Sequence, residues 1–469
     1  MLAGGCAVGP NYRRPAATAP QVFKEPPPEG WKEAQPNAGT IRGKWWEIYN
    51  DPQLNALEEQ VSISNQNVLA AAAQYREARD AVRIARSGLF PTATTSPAVT
   101  NQRTPATLTN QPKAAYQTTY DLPVDVSYQA DVWGSIRRNL TASYANAQAS
   151  AADLENARLS FQAELAEFYF ELHGLDGDTD LLQRTVKVYE EYLKLTQDRF
   201  ELGVASGADV AQAKTQLDTT RAQLIDLGVQ RTQFEHAIAI LIGKPPAELS
   251  IPAMVLKTPP PAVPIGVPSA LLERRPDIAA SERQVAAANE QIGIAKAAFF
   301  PSLLLSATGG FESASFSTWL SWPSRFWAVG PQLAETLFDA GKRRGQLDSA
   351  RAAYDVTVAN YRQTSLTAFQ QVEDNLAALR ILEQEAAAED AAVADAEESL
   401  AISTDQYKQG IATYLQVITA QAFALQDEKA AVDILTRRMT ASVLLIEALG
   451  GGWDASQLPT RTEILANSK

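Results

Sequence analysis

The stretch Tyr120-Asp-Leu-Pro-Val-Asp-Val-Ser-Tyr-Gln-Ala-Asp-Val132 alternates apolar and polar side chains along its whole length. In a β-strand, seven apolar residues would lie on one face, and three carboxylates on the other. Strands of soluble proteins are usually about 5–6 residues long, whereas a strand that crosses a membrane needs about 9–11. The length and the alternation therefore predict a transmembrane strand with lipid on one side and a water-filled lumen on the other.

The chain repeats itself once. Arg199-Phe-Glu-Leu-Gly203 recurs as Gln406-Tyr-Lys-Gln-Gly410, and Leu89-Phe-Pro91 recurs as Phe299-Phe-Pro301. A repeat of this size indicates two copies of one supersecondary unit. Repeat 1 is predicted at 45–243, with helix 51–89, strands within 92–133, and long helices 137–202 and 207–243. Repeat 2 is predicted at 269–451, with helix 276–299, strands within 302–338, and long helices 342–409 and 413–449.

The long helices carry a coiled-coil pattern. From Phe161 to Phe200 the apolar positions recur at alternating steps of four and three, the period of a left-handed supercoil. A helix over 137–202 would be about 100 Å long. On this periodicity alone, ordinary antiparallel coiled-coil hairpins remain an alternative. The strands favour a membrane protein that is mainly α-helical with a β-barrel. Prolines at 123 and 331 occupy equivalent places and predict a bulge or kink there.

Four strands per chain are too few to close a membrane barrel, because closed barrels begin at eight strands. The sequence therefore predicts a homo-oligomer, and a trimer would supply twelve strands above a ring of long helices. The inward-facing carboxylates predict a mild preference for cations.

The amino terminus contains the single cysteine, Cys6, directly after small residues. This context predicts a lipoprotein processing site at 1–6, with the start of the signal peptide missing and a covalent lipid on Cys6. An incidental free thiol is the alternative. Residues 7–44 are rich in proline and predict an extended arm. Residues 244–268 carry eight prolines and predict a linker between the repeats, and 452–469 form a C-terminal tail.

Composition excludes several classes of function. The 469-residue chain has a net charge of −13, which argues against a nucleic-acid partner. The two histidines, His173 and His236, lie on predicted helices without metal ligands at suitable spacing. We therefore predict neither a metal site nor a catalytic site, and no cofactor other than the lipid on Cys6.

Several motifs carry a family resemblance over nearly the whole chain. They are Cys6-Ala-Val-Gly-Pro-Asn-Tyr12, Trp45-Trp46, and Leu271-Leu-Glu-Arg-Arg-Pro-Asp277. With them the chain resembles the TolC-like outer-membrane factors of tripartite efflux systems, in the NodT-type lipoprotein branch. The resemblance implies a lipid-anchored homotrimer in the outer membrane, with a 12-stranded β-barrel set on a periplasmic α-helical tunnel.

The resemblance also implies a function and partners. The channel would be a passive exit duct for small molecules such as drugs and toxic compounds, and not an enzyme. It would dock with a periplasmic adaptor and an inner-membrane transporter of the resistance–nodulation–division type. An exit duct for type I protein secretion is the alternative within this class. A periplasmic adaptor is disfavoured because adaptors carry one helical hairpin, and an envelope enzyme because the repeats leave no room for a catalytic domain.

The resemblance places a gate where the long helices turn, at Gly203–Asp209 and Gly410–Gln416. Asp209 and Tyr407 match a carboxylate and a tyrosine that bond in the family, so we expect a hydrogen bond between them at the closed tip. Ala412 stands where the family has an arginine, so one closing link is absent. A helix cap is a second interpretation of Asp209, because it lies at the start of the returning helix.

Other gate positions follow from the same alignment. Leu415 matches a leucine that narrows the aperture in relatives, although a coiled-coil core position is the alternative. Gln416 and Thr419 stand where the best-known member carries an acidic ring, so a cation-binding ring is not expected here. Pro91 and Pro301 mark the predicted junctions of helix and strand, where proline stops the helix.

Overall fold

The computed structural model describes residues 7–17, 19–26, 28, 43–109, 114–264 and 268–466. The predicted processing site, including Cys6, lies outside the described residues. None of the helices in the described part of the chain is long and apolar enough to cross a membrane.

Repeat 1 opens with a short 3₁₀ helix, Trp45–Tyr49, before α1, Pro52–Ser64, and α2, Gln66–Ser87. The prediction of a single helix over 51–89 is wrong, because the chain forms two helices that are separated at Asn65. The Asn65 side-chain oxygen accepts from Asn67 N and Val68 N and so caps α2. Its Nδ2 donates to Leu241 O at 2.8 Å, a contact from the far end of the repeat. The buried amide therefore gains more as a cap than as an interior helical residue.

The remaining helices follow the two-repeat plan. In repeat 1 they are α3, Ala106–Thr109, α4, Ser135–Glu201, and α5, Gly207–Leu241. In repeat 2 they are α6, Leu271–Arg274, α7, Pro276–Ala297, α8, Lys342–Lys408, and α9, Tyr414–Ala448, followed by α10, Arg461–Ala466. Both α4 and α8 contain 67 residues, so each is about 100 Å long.

The strands form one antiparallel sheet. They are β1, Thr92–Thr95, β2, Ala98–Thr104, β3, Ala115–Ala130, β4, Ser302–Ser313, and β5, Arg325–Ala334. β1 and β2 both pair with β3, β3 pairs with β4, and β4 pairs with β5. The β1 and β2 pairings share one register, Thr95 opposite Val124 and Ala98 opposite Asp121, so together they fill one strand position. The sheet therefore has four strand positions, as the sequence predicts.

The bulge predicted at the prolines is not formed. The β3–β4 register runs from Tyr120 opposite Ser313 to Ala130 opposite Leu303 without an extra residue, and Pro123 lies opposite Gly310. The interruption falls instead on the neighbouring strand, between β1 and β2, at the level of Pro123. Pro331 lies on β5, at the edge of the sheet, opposite Leu305 in an unbroken register, and an edge strand is where proline is tolerated.

The register separates apolar from acidic side chains. One face carries rows such as Leu122, Phe311 and Arg325, whereas Asp121 lies opposite Glu312 on the other face. Thr308 Oγ1 donates to Asp125 Oδ1 at 2.7 Å on that second face. This arrangement agrees with the alternation read from Tyr120 to Val132.

The main hydrophobic core lies midway along the long helices. It packs Trp45 and α1 against α4, α8 and α9, with Leu165, Tyr169, Leu376 and Leu445 among its buried members. The two proline-rich segments are bound to this region. Arg231 pairs with Asp176 at 2.6 Å and donates to Ile251 O in the linker. In the amino-terminal arm, the backbone N–H groups of Lys24 and Glu25 donate to Glu373.

Beside this core, Glu167 on α4 lies among other carboxylates. Burial raises the pKa of Glu167 to about 7, and Glu447, Glu164 and Glu171 shift it in the same direction. The folded state therefore binds this proton more tightly than the unfolded state, whose pKa is the ordinary value of 4.5. The resulting stabilisation is full below about pH 4.5 and is lost as the pH rises through about 7.

Glu167→Gln is accordingly expected to stabilise the protein at pH 8 by about 1 kcal/mol, after allowance for partial exposure, and to have little effect at pH 4. Thermal unfolding followed by helical circular dichroism at both pH values measures this difference. Asp390→Asn, at an exposed site on α8, is the matched control. A stabilisation by Glu167→Gln that is equal at both pH values would contradict the account.

Candidate gate at the helical tips

The turns of the two helical hairpins have the same construction. Each begins with a glycine in the left-handed region, Gly203 at φ 78° and Gly410 at φ 80°. Each returning helix begins with a capping box, Ser206 with Asp209 in repeat 1 and Thr413 with Gln416 in repeat 2. Such boxes satisfy the first free N–H groups of a helix. The two repeats therefore match at the tip even in individual hydrogen bonds.

Asp209 acts as a helix cap, as the second interpretation predicted. Its Oδ2 accepts from Ser206 N and from Ser206 Oγ, both at 2.9 Å. Among the described residues of this single protomer, Asp209 and Tyr407 form no hydrogen bond with each other. The carboxylate is occupied by Ser206, and the Tyr407 hydroxyl lies instead 3.5 Å from Thr196 Oγ1. The expected Asp209–Tyr407 bond is thus wrong within the protomer.

Tyr407 is nevertheless the centre of the contact between the hairpins. Only 4% of it is exposed. Its ring packs against Tyr414 with the ring centres 5.5 Å apart. One turn earlier along α8, Thr404 Oγ1 lies 2.6 Å from Tyr192 OH of α4. A small cluster that also contains Ala213, Val417 and Ile418 surrounds this contact.

Arg199 completes this contact and was missed by the sequence analysis. Its guanidinium carbon lies 4.5 Å from the centre of the Tyr407 ring. Its Nη1 donates to Tyr407 O at 2.7 Å, near the C-terminal end of α8, where a cation is favourable. The available signal was a difference between the repeats, because Arg199 of repeat 1 matches Gln406 of repeat 2. Arg199 joins the first hairpin to the second.

The remaining predicted gate residues lie on the first turns of α9. Leu415 is 59% exposed, so it is not a coiled-coil core residue within the protomer. Gln416 accepts from Thr413 N at 3.0 Å and serves as a cap. Thr419 Oγ1 donates to Leu415 O at 2.9 Å within the helix. Leu415 is thus the apolar member of this exposed group, and its side chain makes no cap or hydrogen bond within the described part of the protomer.

The Tyr414 hydroxyl at the tip is neutral at physiological pH. Burial raises the pKa of Tyr414 well above its ordinary value, and the neighbouring Tyr407, Tyr189, Tyr192 and Asp209 act in the same direction. Within the described ranges, no group of three or more His, Cys, Asp or Glu residues is arranged to hold a metal ion. The tip is held by aromatic packing, hydroxyl contacts and one guanidinium.

The junctions of helix and strand lie at the other end of α4 and α8. Pro91 directly precedes β1, and Pro301 directly precedes β4. Trp133 Nε1 donates to Pro301 O at 2.7 Å, and the Trp133 ring stacks on Phe300. These contacts fix the sheet at the end of the helices opposite to the tips.

Comparison with known proteins agrees with this arrangement. The outer membrane efflux protein family matches residues 57–244 and 267–451, which are the two repeats. The toluene efflux pump outer membrane protein TtgF of Pseudomonas putida is 32% identical over 459 residues, covering 96% of this chain and 95% of TtgF. The antibiotic efflux pump outer membrane protein ArpC of Pseudomonas putida is 30% identical over 455 residues, covering 97% and 94%.

Solved structures share the fold. The outer-membrane channel OprN superimposes with a TM-score of 0.86 at 29% identity, covering 96% of this chain and 100% of OprN. VceC of Vibrio cholerae, an outer membrane protein, superimposes with a TM-score of 0.82 at 28% identity, covering 88% and 99%. The predicted fold, with helical hairpins in two repeats joined to a membrane sheet, is confirmed. The chain belongs to the outer membrane efflux protein family and is an outer-membrane component of an efflux system.

Proposed function

We propose that three copies of this chain form a closed channel, with four strand positions from each copy in a 12-stranded barrel. The sheet supports this assembly because its two outer positions, β5 and the combined β1 and β2, each have a partner on one side only. Such open edges are unfavourable in a membrane until another chain pairs with them. Antiparallel pairing of β5 with β1 and β2 of the next copy closes the barrel.

The channel is the passive exit duct of a tripartite efflux pump for small molecules. The observation that carries this proposal is a sheet with an apolar face and an acidic face, joined to two 67-residue helices that meet in a closed contact at their tips. The relatives named for toluene and antibiotic efflux support small apolar and amphiphilic compounds as the cargo. Energy would come from a transporter of the resistance–nodulation–division type in the inner membrane.

A periplasmic adaptor docks on the hairpin tips. The exposed apolar residues there support this part of the proposal, since Val204 and Ile411 occupy equivalent places in the two turns and both are solvent-exposed. Leu202, beside Val204, is exposed as well. Apolar side chains at the ends of two polar hairpins are typical of a surface that a partner covers.

A lipid on Cys6 anchors the amino terminus. Val8 N donates to Trp133 O at 3.1 Å, and a Cβ added to Gly134 would lie 3.0 Å from the Cβ of Ala7. Residues 7 and 8 thus lie beside the junction of sheet and helices, the level at which the barrel leaves the membrane. Acyl chains on the preceding residue would reach the inner leaflet directly.

Cys6→Ser is expected to abolish acylation while leaving assembly intact, because the barrel itself holds the protein in the membrane. Intact-mass spectrometry of the protein extracted from membranes would show the acyl groups on the wild type and their loss from the variant. A wild-type mass without acyl groups would contradict the anchor.

Deletion of the gene is the direct test of function. Cells without the gene are expected to accumulate an apolar fluorescent probe such as Nile red, and restoring the gene should return accumulation to its original level. The secreted proteins of the same cells are compared at the same time. Unchanged probe accumulation together with the loss of one secreted protein would replace this function with type I protein secretion.

A further inference from the structure

The charged residues of the sheet are sorted by sign between its two faces. Strands β1 to β5 contain three acidic residues, Asp121, Asp125 and Glu312, and two basic residues, Arg103 and Arg325. Register places the three carboxylates on one face. Arg103 lies opposite Tyr116, and Arg325 lies in the row of Phe311 and Leu122, so both arginines share the apolar face.

Both arginines lie toward the end of the sheet far from the helices, but on opposite edge strands, and Arg103 is six residues farther along the sheet than Arg325. Arg325 begins β5, and Arg103 is the penultimate residue of β2. The guanidinium of Arg325 lies over the ring of Trp322, and that of Arg103 lies over the ring of Tyr116. A neighbouring aromatic cluster joins Tyr120 to Phe316 and Trp319, with ring centres 5.7 Å apart in each pair. Aromatic residues of this kind mark the level of the lipid headgroups.

Neither guanidinium forms a salt bridge with any carboxylate among the residues that the structure describes. Arg325 Nε donates to Trp322 O at 2.9 Å, which leaves the other N–H groups of its fork for a ligand. An arginine on a lipid-facing surface is unfavourable at the membrane centre but nearly neutral at the headgroup level. Phosphate oxygens at that level match the guanidinium fork in charge and geometry.

A depression in the apolar face begins directly below Arg325. It has a volume of about 520 Å³, and its lining includes Val124, Gly309 and Trp327. These three residues form one row across β3, β4 and β5, so the glycine leaves a gap between two apolar side chains. Trp327 is 80% exposed beside this gap. The depression offers an apolar path for an acyl chain whose headgroup reaches Arg325.

We propose that Arg325 binds the phosphate of an outer-leaflet glycolipid of the lipid A type, and that the depression at Gly309 holds one of its acyl chains. Arg103, on the opposite edge strand and six residues farther along the sheet, adds positive charge to the same end without sharing that phosphate. This inference rests on the outer-membrane barrel of the proposed function. The orientation selects the lipid, because helices in the periplasm put the arginine end of the sheet in the outer leaflet. Phosphorylated glycolipids are the main lipids of that leaflet.

Native mass spectrometry of the detergent-extracted protein tests the site. Diphosphorylated lipid A, dephosphorylated lipid A and phosphatidylglycerol are added in turn to the wild type. Diphosphorylated lipid A is expected to be retained about tenfold better than the dephosphorylated form. If the two forms of lipid A are retained equally, the site binds only acyl chains and does not recognise phosphate. If phosphatidylglycerol is retained as well as diphosphorylated lipid A, the site binds anionic phospholipids in general. Either result overturns the proposal.

Two variants divide the site into its parts. R103Q/R325Q should remove the preference for the phosphorylated form, whereas R83Q/R351Q, which removes two exposed guanidinium groups from helices, should keep it. Gly309→Leu should weaken retention of all acylated lipids alike, since a side chain there meets only ordinary contacts at 3.7 Å or more. Unchanged retention in R103Q/R325Q or in Gly309→Leu would contradict the assignment.

The same samples are recorded in planar bilayers. A variant that still conducts but no longer prefers phosphorylated lipid A would support the lipid site, because the substitution removes lipid binding and leaves the channel intact. A wild type that does not conduct would contradict the proposed channel, whereas a conducting R103Q/R325Q with full retention would contradict only the lipid site. The two failures are thus distinguishable.

Discussion

Replacing Arg199 with Ala is expected to raise the conductance of the purified channel severalfold. Arg199 joins the two hairpins of a protomer by a 2.7 Å hydrogen bond to Tyr407 O and by its position over the Tyr407 ring. A charge-assisted bond of this kind contributes about 1.5–3 kcal/mol, and no other cation lies over Tyr407 in the described chain. Its loss frees the second hairpin to move away from the first.

Tyr407→Ala should act in the same direction because it removes the ring that both Arg199 and Tyr414 contact. Tyr407→Phe should have little effect, since the hydroxyl makes only a 3.5 Å contact with Thr196. Arg221→Ala is the control for Arg199→Ala, because Arg221 pairs with Glu190 inside the first hairpin and does not join the two hairpins. Single-channel recording measures all four proteins.

A different order of conductances among the variants would place the gate at other residues. If Asp209→Ala raises the conductance as much as Arg199→Ala does, the Asp209 carboxylate makes a closing contact with a neighbouring protomer in addition to its cap. If Leu415→Ala alone raises it, the closure is an apolar constriction and the contact between the hairpins is only structural.

The second large effect, a loss of stability, is expected when Arg138 is replaced. Arg138 is a buried residue at the start of α4. Arg138 Nη1 donates to Glu290 at 2.7 Å and to Pro10 O at 3.2 Å. Arg138→Ala leaves the Glu290 carboxylate buried without its charge partner and with only a 3.4 Å bond from Asn289 Nδ2, so we expect a loss of about 3–5 kcal/mol in the free energy of unfolding. Thermal or denaturant unfolding followed by circular dichroism measures it.

Arg138→Met combined with Glu290→Leu is the matched control, because it removes both charges and keeps the volume. This variant should recover most of the stability lost in Arg138→Ala. It should still show faster proteolysis of the amino-terminal segment, since in both variants Pro10 O loses its bond from Arg138 and keeps only the 3.3 Å bond from Asn289 Nδ2. A double variant as unstable as Arg138→Ala would show that the ion pair is not the origin of the effect.

Much of the fold was predictable because its signals are periodic. Two faces of β3 follow from strict alternation between Tyr120 and Val132, and the long helices follow from a seven-residue repeat sustained over many turns. The turn at Gly203 and the capping role of Asp209 are also local, since each depends on residues within a few positions. Signals of this kind depend only on neighbouring residues, so they can be read from a single sequence.

The errors arose where tertiary contacts decide. Asn65 interrupts a helical pattern because its amide also bonds Leu241 O, a residue far along the chain. Pro123 keeps its register with β4, and the neighbouring strand breaks beside it at Ser96-Pro97, where Pro97 has no N–H to donate. Arg199 contacts Tyr407 of the other repeat, so no local sequence pattern predicts this contact. The expected Asp209–Tyr407 bond failed within the protomer because the nearer Ser206 occupies the carboxylate.

The conductance of a detergent-extracted particle of measured mass tests the central claim most directly. We expect a particle containing three 50.8 kDa chains that inserts into a planar bilayer and conducts. A particle of one or two chains that does not conduct would contradict the barrel, and with it the exit duct.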